Sequence, residues 1–142
     1  MKKIIYVFIA LCIVQVGFAQ VSDEAKTYIK ISGIPEQLDA TKAQIIPAVL
    51  EENLVAFNKD YDAAAKNYIS DLETLVSDNF ETADLKKYNE SIIANTAPEA
   101  MVPKDLEGFQ QKAAALQQNL GVLLQGLMEK YSEPAVLEQV QE

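Results

Sequence analysis

The residues able to do chemistry are few, and nearly all of them are carboxylates. Beyond residue 19 the chain has no His, no Cys, no Trp and no Arg. Nucleophilic catalysis usually rests on an imidazole or a thiol held by an orienting group, and neither is there. No Ser-x-x-Lys and no Gly-x-Ser-x-Gly motif occurs. Zinc and most transition metals need the same missing side chains. Paired acids remain: Glu51-Glu52, Asp71 with Glu73, and Asp78 with Glu81. If burial raised one pKa of such a pair, it could donate a proton beside an ionised partner, as in a carboxylate-dependent hydrolase. Each pair flanks an apolar stripe instead of lying within it, so the spacing favours a solvated helix face. Asn58-x-Asp60-x-Asp62 begins like a calcium loop, but Ala63 stands where that loop needs Gly and Ile69 where it needs Glu. No Gly-rich loop offers a phosphate cradle. The reading is therefore of a non-enzyme with no catalytic residue, metal ligand or cofactor site.

A different chemistry, apolar recognition, has better material. Phe57, Tyr61, Tyr68, Tyr88, Phe109 and Tyr131 all fall on apolar faces. Such residues fill a core, or line a groove between helices that takes an acyl chain or a partner helix. Gly121 and Gly126 lie inside the last helical stripe, where each costs about 1 kcal/mol relative to Ala. Close helix approach or room for a ligand would offset that cost. The expected groove is accordingly placed beside Gly121, Gly126 and Tyr131.

The elements that would position these residues follow from apolar periodicity. Ser22 suits the N-cap of a first helix, with Asp23 and Glu24 in its first turn and Gly33 as a left-handed stop. Pro35 opens a second helix carrying Leu38, Ile45 and Ile46, and Pro47 interrupts it. From Ala48 the positions Leu50, Leu54, Phe57, Tyr61, Ala64, Tyr68, Leu72 and Leu75 predict one long helix. Thr82 is the expected cap of the next, with Phe80 as its hydrophobic staple. Asn95 to Pro103 reads as a loop. Leu106, Phe109, Ala113, Leu116, Leu120, Leu123 and Leu127 then form a ladder ending near Tyr131, expected to be the buried spine of the fold. Pro134 stops that helix, and Ala135 to Val140 suggest a short terminal turn. The sum is an all-α, single-domain bundle of about five helices.

The first 19 residues have a different pattern. Lys2 and Lys3 precede an apolar run from Ile4 to Val16, and Gly17-Phe18-Ala19 offers a signal-peptidase site. Cys12 follows Leu11 instead of a small residue, so a lipid-modified cysteine is not indicated. A retained membrane anchor is the weaker reading, because a stop-transfer pattern is missing. The expected division is a signal peptide at 1–19 and a helical domain at 20–142. Once Lys2 and Lys3 are removed from the 12 basic residues, ten lysines face 21 acids, a net charge of −11. That charge, with no Arg, disfavours nucleic acid and anionic lipid surfaces.

Several segments resemble a bacterial family of small exported helical proteins, known as a domain of unknown function. Ser32-Gly33 with Glu36-Gln37-Leu38 is similar to its first signature, and Phe57-Asn58-Lys59-Asp60-Tyr61-Asp62 to its aromatic–acidic turn. Phe80-Glu81-Thr82-Ala83-Asp84-Leu85 resembles its Phe-Thr helix start, and Leu124 to Tyr131 its last helix. The family's aromatic pair and Ser-Pro-x-Gly turn are missing from Ser91 to Ala100. The resemblance implies export and an all-helical fold and brings no catalytic residues. The expected function is that of an exported periplasmic binding or interaction module. Its partner would be an envelope protein or an apolar small molecule, and a monomer is favoured. The alternatives are a carboxylate-dependent hydrolase and a structural homo-oligomer paired through the ladder.

Overall fold

The computed structural model describes residues 20–132. The signal-peptide pattern at 1–19 and the turn expected at Ala135 to Val140 lie outside the described residues. The described residues form five α-helices: α1 (Asp23–Ile31), α2 (Ile34–Ile45), α3 (Leu54–Asn79), α4 (Thr82–Ile93) and α5 (Leu106–Tyr131). The chain is an all-α domain. Among the described residues, no helix is long and apolar enough to cross a membrane.

Local chemistry accounts for most boundaries. The Ser22 hydroxyl accepts from the Ala25 amide at 3.2 Å, filling one of the orphan donors at the start of α1. Gly33 has φ +81°, a left-handed conformation that costs glycine nothing, and α2 begins immediately after it. At α4 the cap is Glu81, one residue before the expected Thr82. That register puts Phe80 at the position before the cap and Leu85 four residues into the helix, the two ends of a hydrophobic staple. Both are buried in the same cluster. Asp105 caps α5 through Oδ1, which accepts from the Gly108 amide at 3.0 Å. Pro103 thus lies before the helix, at the end of the expected loop.

The largest departure from the periodicity is at the start of α3. The helix expected from Ala48 begins at Leu54. Pro47 lies in a short 3₁₀ turn (Ile46–Ala48), Val49 and Leu50 are extended, and a second 3₁₀ turn spans Glu51–Asn53. Tertiary pairing explains the extended pair. The Leu50 amide donates to the Tyr131 carbonyl at 3.1 Å, and Val49 forms an isolated antiparallel bridge with Ser132. Val49 also enters the core.

The described residues pack into two hydrophobic clusters, at opposite ends of α3. The first joins Ala25 and Ile29 of α1, Leu72 and Val76 of α3, and Phe80 and Leu85, with Met101, Phe109 and Leu116 packed around them. Phe80 and Phe109 meet edge to face at 5.3 Å between ring centres. Buried Asn89 ties α4 to α1 by donating to the Glu24 carbonyl at 2.9 Å. Its amide is therefore occupied inside the protein, although Asn89-Glu90-Ser91 reads as a glycosylation sequon. The second cluster joins Ile45, Val49, Phe57, Tyr61 and Tyr131, with Leu124, Leu127 and Met128 at its edge. Tyr61 donates its hydroxyl to the Leu38 carbonyl at 2.7 Å, fixing α2 on α3.

The spine is therefore α3, not α5. α3 contributes buried residues to both clusters, whereas α5 contributes only Tyr131 as a buried core residue and otherwise packs partly buried along α3. The ladder has the predicted ends but not the predicted burial. Tyr131 is its one buried residue, while Leu106 and Leu123 are 54% and 55% exposed. The remaining helices have 9, 12 and 12 residues, too short to wrap a 26-residue partner on all its apolar sides.

Candidate functional site

Because no third helix among the described residues covers one flank of the α3–α5 pair, that flank forms a trough. On α3 it presents Ala64, Asn67, Asp71, Thr74 and Asp78, a set spaced three and four apart that shares one helix face. On α5 it presents Lys112, Leu116, Asn119 and Leu123, also spaced three and four apart, with Ala115 beside Leu116. The wider section is a hollow of about 410 Å³, with Leu75, Ala115 and Leu116 in its wall and Asp71, Asp78 and Lys112 among its polar residues. A narrower section of about 70 Å³ runs on between Tyr68, Leu120 and Leu123. Asp71 and Leu116 line both sections, so the two are continuous. Asp71 and Asp78 have no ion-pair partner among the described residues.

Two other hollows are less suited to recognition. One of about 330 Å³ lies between α1, α2 and α3 beside Lys26, Lys30 and Glu73. The other, about 490 Å³, is a polar recess at the end of α4 lined by Lys87, Glu90, Ser91, Thr96 and Glu99. Neither leaves a large apolar side chain bare, as the trough does at Leu123.

The groove expected at Gly121, Gly126 and Tyr131 is not formed by those residues. They are five positions apart, and each step of five turns the helix by about 140°, so the three point in different directions. Gly121 and Gly126 are exposed, and among the described residues a Cβ at either would meet nothing within 4 Å. They thus allow neither close packing nor a pocket. Tyr131 has a structural role. Its ring meets Phe57 edge to face at 6.1 Å, and its hydroxyl donates to Asp60 Oδ2 at 2.6 Å. Lys130 Nζ donates to the same oxygen at 3.1 Å and lies 4.5 Å over the Tyr131 ring. The Tyr131 hydroxyl, and then Lys130, hold the Asp60 carboxyl below its ordinary value. The Tyr131 hydroxyl and the Asp60 carboxylate hold the Lys130 ammonium above its own.

Every Asp and Glu among the described residues is exposed or half-buried. Asn58, Asp60 and Asp62 lie on the continuous helix α3, with Asp60 held by Tyr131 and Asp62 paired to Lys42 at 2.7 Å. Successive members of that triplet are turned 200° apart, so they do not converge as a calcium loop does. Among the described residues, no cluster of three or more His, Cys, Asp or Glu side chains could hold a metal ion.

The trough-forming residues were visible in the sequence but assigned otherwise: Leu116, Leu120 and Leu123 to the buried ladder, Asp71 and Asp78 to solvated pairs. The available signal was the width of the α5 apolar arc, from Leu120 through Val122, Leu123, Leu124, Leu127 and Met128, which exceeds what one neighbouring helix can cover. Comparison with known proteins adds no relative: no family model, no curated protein and no solved structure matches the chain. The resemblance to small exported helical proteins therefore rests on the sequence segments alone.

Proposed function

We propose that this chain is an exported, non-catalytic helical module that acts by binding, with the α3–α5 trough as its binding surface. The observation that carries the reading is the trough itself, an apolar wall that leaves Leu123 more than half exposed in one section and is flanked along its length by Asp71 and Asp78, neither in an ion pair among the described residues. Apolar side chains left bare beside polar ones are typical of interaction sites. The lack of His and Cys beyond residue 19 and the surface position of the acids support binding over hydrolysis. The pattern at 1–19 supports export to the periplasm, and a net charge of −11 supports a monomer, because like charges repel.

Native mass spectrometry of the protein recovered from its own cell envelope tests both halves. The expected result is a mass beginning at Gln20 and a bound companion, protein or apolar small molecule, that Leu123→Glu removes. An intact Met1 would count against export. A companion retained unchanged by Leu123→Glu would count against the trough.

A further inference from the structure

We infer that the trough receives a cationic amphipathic helix, an assignment that rests on the binding reading above and names its partner class. Three observations carry it. The first is size. From Lys112 to Leu123 the α5 wall runs about 16 Å, the length of roughly three helical turns. A helix laid into such a trough offers apolar residues at i, i+3, i+4 and i+7 to Leu75, Leu116, Leu120 and Leu123.

The second is charge. Asp71 and Asp78 are seven residues apart on one face of α3, about 10 Å along the axis, and carry no ion pair among the described residues. Two lysines or arginines at i and i+7 of the incoming helix would meet them in register. Lys112 is the one cation in the lining among the described residues, so with Asp71 and Asp78 the trough there carries net negative charge.

The third is the chain's overall field. A net charge of −11 on residues 20–142 repels a second copy and any anionic ligand, and raises the encounter rate with a cationic one. An apolar small molecule would leave the two carboxylates unused.

The test uses the purified protein and two fluorescein-labelled peptides of about four turns, both amphipathic, one of Leu and Lys and the other of Leu and Glu. Fluorescence anisotropy gives affinity, and amide chemical shifts give location. The Lys peptide should bind, weaken as salt is added, and shift resonances of residues 64–78 and 112–123. Leu123→Glu should weaken it about tenfold or more, and Asp71→Asn with Asp78→Asn several-fold. A charge-matched control, Asp84→Asn with Glu99→Gln, should leave affinity within about twofold, since exposed charges remote from the site are screened.

Equal binding of the Glu peptide, or an equal loss in the control, would overturn the cationic assignment while leaving the trough as a binding surface. A protein dimer that Leu123→Glu dissociates, with neither peptide bound, would also overturn it and give the trough to self-association. Shifts confined to other surfaces would remove both this inference and the reading beneath it.

Discussion

Phe57→Ala probes the two-cluster architecture most directly. Phe57 is fully buried, its ring centre 5.7 Å from that of Tyr61 and 6.1 Å from that of Tyr131. Losing the buried ring forfeits about 1.5–3 kcal/mol of transfer free energy. The two aromatic contacts add about 0.5–1.5 kcal/mol each, and incomplete collapse of the void adds more. About 4 kcal/mol is the expected total, within the roughly 3–5 kcal/mol range of core Phe→Ala substitutions. A domain of this size has a total stability of about 5–15 kcal/mol, so the variant should fold with much of its margin gone. The damage should also be local. Ile29, Val76 and Leu85 belong to the other cluster, and about 28 Å of α3 separates Phe57 from Val76. Urea unfolding gives the magnitude, and native-state hydrogen exchange gives the distribution. Amides near the end of α5, from Leu127 to Tyr131, should lose protection before those around Ile29 and Leu85. A loss under about 1 kcal/mol, or protection falling equally in both clusters, would refute the division.

Three further outcomes follow from single contacts. Gly121→Ala and Gly126→Ala should each raise stability by about 0.5–1 kcal/mol in urea unfolding, because both sites are helical and open; destabilisation at either would mean that the glycine is needed there. Tyr61→Phe should cost about 1–2 kcal/mol, because the Leu38 carbonyl loses its 2.7 Å partner in a buried setting; an unchanged unfolding midpoint would count against that bond. Asp60 has a folded pKa below its unfolded value, so its contribution is complete above the ordinary carboxylate range and disappears as pH falls through the depressed folded value. Wild-type protein should therefore be more stable than Asp60→Asn at neutral pH, with the difference closing in acid; a gap independent of pH would remove the Asp60 carboxylate from the account.

Much of the fold was legible because its signals are local. Ser22, Gly33 and the run from Leu106 to Tyr131 mark element ends by chemistry that acts within a few residues. The start of α3 was not legible, because Val49 and Leu50 are held extended by Tyr131 and Ser132, more than 80 positions away. Propensity cannot register a partner so remote. The site was half legible. Its residue types stood out, but whether Leu116, Leu120 and Leu123 are covered depends on how many helices reach them. That is set by the lengths of α1, α2 and α4 and by the side of α3 on which they pack. Gly121 and Gly126 misled for a related reason. A glycine in a helix signals close approach only when something approaches, and among the described residues nothing does.

The clasp between Tyr131 and the α2–α3 junction also sets an order of assembly. Every core residue of the first cluster lies between Ala25 and Leu85, so that half can consolidate as soon as α4 is available. The second half must bring Tyr131 back to Asp60, 71 positions earlier in the chain, and to Asn53, 78 positions earlier. Closing so long a loop costs entropy before any contact compensates, which makes this the slow event. During refolding, protection at Leu85 should precede protection at Tyr61 and Met128, and pulse-labelling exchange that found them simultaneous would contradict this order. Until α5 docks, Ile45, Val49 and Phe57 stand open to solvent. The interval before the last helix arrives is therefore when this chain is most exposed to aggregation or to capture by a chaperone.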